Sequence, residues 1–110
     1  MVTHIYKGNI GKSRAADMMC RSKISVGCIE YTYDVSWSGI RDSYVIDRKS
    51  CSPGKLVEMF IDHIKRYENS PAFWVIYTDE NEEQNKELIN LFKGTWAFSN
   101  PTIIIMCNEE

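Results

Sequence analysis

Alternation of apolar and polar side chains between residues 29 and 37 constrains the fold of this 110-residue chain more than any other feature. Every second side chain of that segment is large and apolar: Ile29, Tyr31, Tyr33, Val35 and Trp37. The side chains between them are all polar. A period of two predicts a β-strand, running from about residue 24, with one buried and one wet face. A Ser-Gly pair and a second apolar run, residues 40–46, follow at once, so the segment predicts a β-hairpin.

The remaining segments predict helices and further strands. Ser52 and Pro53 suit the start of a helix, and a one-sided apolar stripe continues it to about Tyr67. Asp79 and Glu82 match a capping box, which predicts a second main helix. A short helix is predicted over residues 13–20, and strands over 2–10, 72–78 and 102–107. We therefore expect one compact α+β domain over residues 1–110, with a mainly antiparallel sheet of about five strands, a central hairpin, and two main helices packed mostly on one face.

Two local features refine this expectation. Gly27 interrupts the first half of the long strand and predicts a β-bulge there. The final strand–helix–strand unit suits a right-handed crossover between parallel strands. Between its helix and its last strand lie Trp96 and Phe98, which either cap the core or lie on the surface.

Composition points to a globular cytoplasmic protein. The chain is 44% hydrophobic and 25% charged, close to the average of globular domains, and no apolar run reaches the roughly 18 residues of a membrane-spanning helix. The first residues do not resemble a signal peptide, so we expect a reducing compartment in which all four cysteines are free thiols. No Cys-x-x-Cys pair or matching histidine spacing is present, and the sequence predicts neither a metal site nor a cofactor.

Charge is distributed unevenly along the chain. Residues 1–55 carry a net charge of +4 and residues 56–110 carry −6. The acidic segment 79–83 lacks the spacing of a calcium-binding loop, and helix capping explains only part of its carboxylates. A dense acidic patch speeds the encounter with a basic protein, and aromatic side chains at its rim can anchor the complex. The predicted partner-binding residues are Asp79, Glu80, Glu82, Glu83, Trp96 and Phe98.

Two other functional classes remain open. An enzyme could assemble its site across the fold, using His63 or a cysteine. Residues 8–13 resemble the end of a phosphate-binding loop, but Tyr6 occupies the position of that loop's first glycine. A nucleic-acid-binding accessory domain would use a dispersed basic set, although the net charge of −2 disfavours it. That basic set comprises Lys7, Lys12, Arg14, Arg21, Lys23, Arg41, Arg48 and Lys49.

No complete catalytic or ligand motif is present, so the leading hypothesis is a small binding protein without catalytic activity. We expect an inhibitor of a basic protein, such as an immunity protein, an antitoxin or a phage-encoded blocker of a host enzyme. Its partner would be a toxin or a host enzyme, bound mainly through the acidic segment.

Overall fold

The computed structural model describes residues 2–8, 11–22, 26–34, 43–67, 69–94 and 101–109. These parts of the chain contain five strands and three helices. In chain order they are β1 (Val2–Lys7), α1 (Lys12–Ser22), β2 (Val26–Thr32), β3 (Tyr44–Asp47), α2 (Pro53–Arg66), β4 (Phe73–Asn81), α3 (Lys86–Lys93) and β5 (Thr102–Asn108).

All five strands are parallel and form one sheet in the order β1-β5-β4-β2-β3. The expectation of a mainly antiparallel sheet is therefore wrong, although the number of strands agrees. The predicted parallel pairing of the last two strands is confirmed, because β4 and β5 lie side by side on either end of α3. Parallel pairing throughout brings the carboxyl ends of all five strands to the same edge of the sheet.

The central hairpin is the part of the fold that the sequence pattern mispredicts. β2 ends at Thr32 and pairs with β3 in parallel, so a two-residue turn cannot connect them. Ser38-Gly39 and the apolar positions Val35 and Trp37 lie outside the described residues. The predicted faces also differ: Tyr33, just beyond the strand end, is 44% exposed, whereas Thr32 is only 6% exposed.

Both faces of the sheet are covered, which explains why the polar positions of β2 are buried. α2 and α3 pack on one face against inward side chains of β2, β4 and β5, while α1 packs on the opposite face. The α1 face includes Ala16, Cys28, Val75 and Met106. Glu30 lies on the α1 face and is only 2% exposed. Parallel strands are usually buried on both faces, so alternation in β2 did not mark a wet side.

Gly27 permits close packing and marks no bulge. It pairs regularly with Trp74 of β4, and a Cβ atom at residue 27 would lie 2.4 Å from the indole ring. The register irregularity of the sheet lies elsewhere, between Tyr77 and Asn81. Glycine is therefore required because a neighbouring ring crosses its backbone.

The two main helices differ in how well their starts could be predicted. The start of α2 is confirmed: Ser52 Oγ accepts a hydrogen bond from the backbone N–H of Lys55, and Pro53 is the first helical residue. The capping box at Asp79 and Glu82 is wrong, because β4 continues to Asn81 and α3 begins only at Lys86. The acidic segment consequently belongs to the carboxyl edge of the sheet.

Candidate functional site

The carboxyl edge of the sheet holds a buried network of polar side chains. In open parallel sheets with helices on both faces, ligands bind beyond the carboxyl ends of the strands. The network consists of Lys12, Arg48, Thr78, Asn85, Cys107 and Asn108, which come from five separate elements or loops. We call this set the buried polar network.

Lys12, the first residue of α1, is only 3% exposed and reaches across the end of the sheet. Its ammonium donates to the backbone carbonyl of Thr78 at 2.5 Å and to Oδ1 of Asn108, and lies 4.7 Å from the centre of the Tyr77 ring. Burial lowers the pKa of Lys12, while nearby Cys107 and Asp79 act in the opposite direction. An ammonium held by these acceptors stabilises the end of the sheet. It differs from the lysine of a phosphate-binding loop, whose ammonium contacts the phosphate.

Asn85 is the centre of the network. It is fully buried, and its amide nitrogen donates to Thr78 Oγ1 at 2.8 Å and to Cys107 Sγ at 3.3 Å. Thr78 Oγ1 in turn donates to the carbonyl of Met106 at 2.7 Å. Burial raises the pKa of the Cys107 thiol, although the Asn85 contact opposes that change. Asn85 thus ties the loop before α3 to the ends of β4 and β5.

Arg48, directly after β3, also belongs to the buried polar network. It is 8% exposed, and its guanidinium donates to Asn85 Oδ1 at 2.8 Å. The same group lies 4.7 Å from the Tyr31 ring centre and 5.4 Å from that of Tyr33. Neutral acceptors and aromatic faces therefore surround this buried cation, as they surround Lys12.

A rim of carboxylates lies around this network, and we call it the acidic edge. Its members are Asp34, Asp79, Glu80, Glu82, Glu83 and Glu109. Two hydrogen bonds bring them together: Tyr33 N–H donates to Asp79 Oδ2 at 2.8 Å, and Asn108 Nδ2 donates to the carbonyl of Asp79 at 3.0 Å. They place Asp34 after β2 and Glu109 after β5 beside the acidic end of β4. The second oxygen of Asp79, Oδ1, is buried without a hydrogen-bond partner.

Several cations lie among the described residues around this rim. Lys7 forms an ion pair of 2.5 Å with Glu82, in which both side chains are partly exposed. Lys12 and Arg48 are buried, whereas Lys49 after β3 and Lys86 at the start of α3 are exposed. Glu83 is exposed and Glu80 half-buried. Six carboxylates against the three exposed lysines leave the described part of this edge with an excess of negative charge on its outer surface.

The structure brings together four of the six residues predicted to bind a partner. Asp79, Glu80, Glu82 and Glu83 all lie at the acidic edge, whereas Trp96 and Phe98 lie outside the described residues. Sequence reasoning missed Asp34 and Glu109, which are distant in the chain. It also missed Tyr33 as a surface side chain. The signal that could have found them is a parallel sheet, since strand ends then converge.

A second feature lies at the corner formed by β3 and α2. An apolar cleft of about 260 Å³ opens there between the edge strand and the helix. It is lined by Ile29, Tyr44, Val45, Ile46, Leu56, Met59, Phe60, His63 and Trp74. We call it the aromatic cleft.

His63, the suggested catalytic group, is part of this cleft. Its ring lies 5.7 Å from Trp74, 4.8 Å from Tyr67 and 6.4 Å from Tyr44, measured between ring centres. These contacts are those of a half-buried packing residue. Cys28, Cys51 and Cys107 are buried free thiols, and the described residues contain no cluster of three or more potential metal ligands.

The basic set suggested for nucleic acid does not form one surface. Lys12 and Arg48 are buried, and Arg21 pairs with Asp17 at 2.9 Å within α1. Lys23 and Arg41 lie outside the described residues. Within the parts of the chain that the structure describes, no helix has the length and apolarity needed to cross a membrane. No protein-family model, no curated protein and no solved structure matches this chain.

Proposed function

We propose that this protein binds a basic protein through the acidic edge and neutralises it, as an immunity protein, an antitoxin or a phage-encoded blocker would. The observation that carries the proposal is the convergence of carboxylates from the ends of β2, β4 and β5 at one edge. A surface of one sign attracts an oppositely charged partner over several ångströms and raises its association rate.

Three of these carboxylates do not support the helix that follows them. Glu80, Glu82 and Glu83 precede α3, whose first turn contains only Glu87 as an acidic residue. They therefore do not lie in the first turn of that helix, where a carboxylate would stabilise the dipole. Glu80, Glu82 and Glu83 thus add negative charge to the acidic edge without serving the dipole of that helix.

Tyr33 supplies an aromatic anchor within the acidic edge. Its ring is 44% exposed, and its backbone is held by Asp79. The Arg48 guanidinium near its ring further restricts its position. A tyrosine that is already ordered loses little entropy on binding, and such residues dominate the energy of many interfaces. Trp96 and Phe98 stay predicted contacts of the same partner.

The test compares two charge reversals of equal size. Glu80→Lys with Glu83→Lys changes the acidic edge, and Glu58→Lys with Asp62→Lys makes the same change on the exposed side of α2. Wild-type protein is used to capture its partner from a lysate of the source cells, and association is then followed by stopped flow across a salt series. The edge variant should associate at least about tenfold more slowly at low salt, with a smaller difference at high salt.

The control variant should associate at close to the wild-type rate, and both variants should keep the wild-type circular dichroism. A Tyr33→Ala variant should instead mainly raise the dissociation rate, because an anchor acts after encounter. Equal association rates for the two reversals, or a captured partner with an acidic surface, would overturn the proposal.

A further inference from the structure

We propose that Arg48 is a positioning residue, which holds the ring of Tyr33 in the orientation in which the acidic edge presents it to a partner. The inference rests on the proposed function, because Tyr33 is the aromatic anchor there. Arg48 acts only through the tyrosine and is not itself a partner contact. The sequence pattern grouped Arg48 with the basic residues suggested for nucleic acid, but its side chain is only 8% exposed.

The backbone of Arg48 is bonded to the end of β2. Its N–H donates to the carbonyl of Thr32 at 2.9 Å, and Thr32 directly precedes Tyr33. The N–H of Tyr33 donates to Asp79 Oδ2 at 2.8 Å. Both polar groups of the peptide unit between Thr32 and Tyr33 are therefore bonded. Only the side-chain torsions of the tyrosine remain to be set.

The guanidinium supplies the contact that restricts these torsions. Its central carbon lies over the Tyr33 ring, 5.4 Å from the ring centre, and over the Tyr31 ring at 4.7 Å. Tyr31 is fully buried and its hydroxyl donates to the carbonyl of Cys51, so this second ring is fixed. A cation is attracted to the face of an aromatic ring. Rotation of Tyr33 would turn its face away from the guanidinium, so the attraction favours one rotamer.

Hydrogen bonds hold the guanidinium in place over the two rings. It donates to Asn85 Oδ1 at 2.8 Å and to the carbonyl of Gln84 at 3.4 Å. The amide nitrogen of Asn85 is bonded to Thr78 and Cys107, so its oxygen stays directed at Arg48. The planar fork of arginine reaches both acceptors and a ring face together. A lysine ammonium, a compact charge on a flexible stem, cannot reproduce this arrangement.

The consequence for binding is a tyrosine that is ordered before the partner arrives. A side chain that must be immobilised on binding weakens a complex by about two- to tenfold, mainly through faster dissociation. Arg48 removes this cost because it orders the Tyr33 ring in the free protein. Its contribution should therefore appear in the dissociation rate and only when the ring is present.

The first test needs no partner. NMR relaxation of the ring carbons measures the order of Tyr33 in the free, full-length chain. Arg48→Lys keeps the charge but loses the planar fork, so the order parameter of the ring should fall from about 0.85, as in a rigid group, to below about 0.6. Arg48→Gln should show the same loss and replaces the lysine variant if that variant does not fold.

Thr78→Val is the matched control for a general loss of stability. It removes a hydroxyl that accepts from Asn85 and donates to the carbonyl of Met106, but it leaves the acceptor of Arg48 in place. The variant should unfold at lower urea concentration than wild type, while the Tyr33 ring stays ordered. An equal loss of ring order in Thr78→Val and Arg48→Lys would overturn the positioning role.

The second test is a double-mutant cycle with the basic partner captured by wild type. Arg48→Lys should raise the dissociation rate about two- to tenfold and leave the association rate unchanged, because the net charge is kept. In a Tyr33→Ala background the same substitution should have no further effect. An additive effect of the two substitutions would show that Arg48 acts independently of the ring and would overturn the proposal.

The two proposals fail separately. Equal association rates for the two charge reversals count against the proposed function alone, because ring order is measured without a partner. A Tyr33 ring that is already mobile in wild type, or one that stays rigid in Arg48→Lys, overturns the positioning role alone.

Discussion

The carboxyl edge of the sheet and the corner between β3 and α2 are built in opposite ways. At the edge, buried side chains such as Lys12 and Asn85 donate to several acceptors each, and charge reaches the surface only in the outer rim. At the corner, rings such as Tyr44 and Tyr67 are half exposed and pack only on their inner side.

The two regions are therefore held in place by different kinds of interaction. Hydrogen bonds have directions, so a polar network holds its rim in one arrangement and gives binding a defined electrostatic field. Apolar contacts have no direction, so the corner depends mainly on buried area. We therefore expect substitutions inside the edge to act by removing single hydrogen-bond partners, and substitutions at the corner to act by disturbing close packing.

The largest effect should come from removing the centre of the network. Asn85→Leu leaves buried Arg48 without its amide acceptor and Thr78 without its amide donor, so it should lower the free energy of unfolding by about 3–5 kcal/mol. Asn90→Leu, on the exposed side of α3, should change it by less than about 0.5 kcal/mol. Urea denaturation measures both. Similar values for the two variants would show that the network does not stabilise the edge.

At the corner between β3 and α2, the largest loss of stability should come from a substitution where the cleft meets the sheet. In Gly27→Ala, the added methyl group would clash with the Trp74 ring, which forms part of the aromatic cleft, and should cost about 1–3 kcal/mol. Gly54→Ala is the matched control, because no atom lies within 4 Å of a Cβ atom there. Since residue 54 is in α2, alanine should stabilise the protein by about 0.5–1 kcal/mol. Thermal melts that move in the same direction for both variants would contradict the packing assigned to Gly27.

Alkaline pH should weaken the core beneath the acidic edge. Tyr31 is fully buried and donates to the carbonyl of Cys51, and burial raises its pKa from 10.0 to about 12, although Arg48 opposes the rise. A raised pKa means that the folded state holds its proton more tightly. The stabilisation is complete below pH 10 and is lost as the pH rises towards 12.

At pH 11, ionisation of Tyr31 alone should lower the free energy of unfolding by roughly 1.4 kcal/mol, because one pKa unit corresponds to about 1.36 kcal/mol. Tyr31→Phe should remove that part of the pH dependence, so the difference between wild type and variant should shrink as the pH rises from 9 to 11. Urea denaturation across this range measures it. A constant difference would mean that the Tyr31 hydroxyl does not titrate with folding.

Local signals in the sequence predicted those parts of the fold that depend on nearby residues. Ser52 and Pro53 specify the start of α2 because the capping bond spans only three residues. The apolar run over residues 72–78 predicted a strand, and β4 does form there, between β2 and β5. The acidic segment was recognised for the same reason: its carboxylates are adjacent in the chain.

What the sequence could not specify depends on strand direction and on distant partners. The period of two in β2 is compatible with a solvent-exposed face or with a face covered by a second helix. The structure shows the second case, because α1 covers the face on which Glu30 is buried. From the sequence alone, Asn85 is an ordinary turn residue. Its role becomes clear only once β4 and β5 are placed next to it. Asp79 and Glu82 satisfy the capping pattern, yet pairing of β4 with β5 as far as Asn81 delays the helix.

The smallest effect should come from the rim of the acidic edge itself. Lys7 and Glu82 are 54% and 36% exposed in their ion pair, so water and salt screen most of their attraction. Lys7→Gln should therefore lower the free energy of unfolding by less than about 0.5 kcal/mol, and the difference should vanish in about 1 M salt. Measured beside Asn85→Leu, this variant separates the charged rim from the network beneath it. A loss above about 2 kcal/mol would show that the rim supports folding, and Glu82 would then be less available to a basic partner than the proposed function requires.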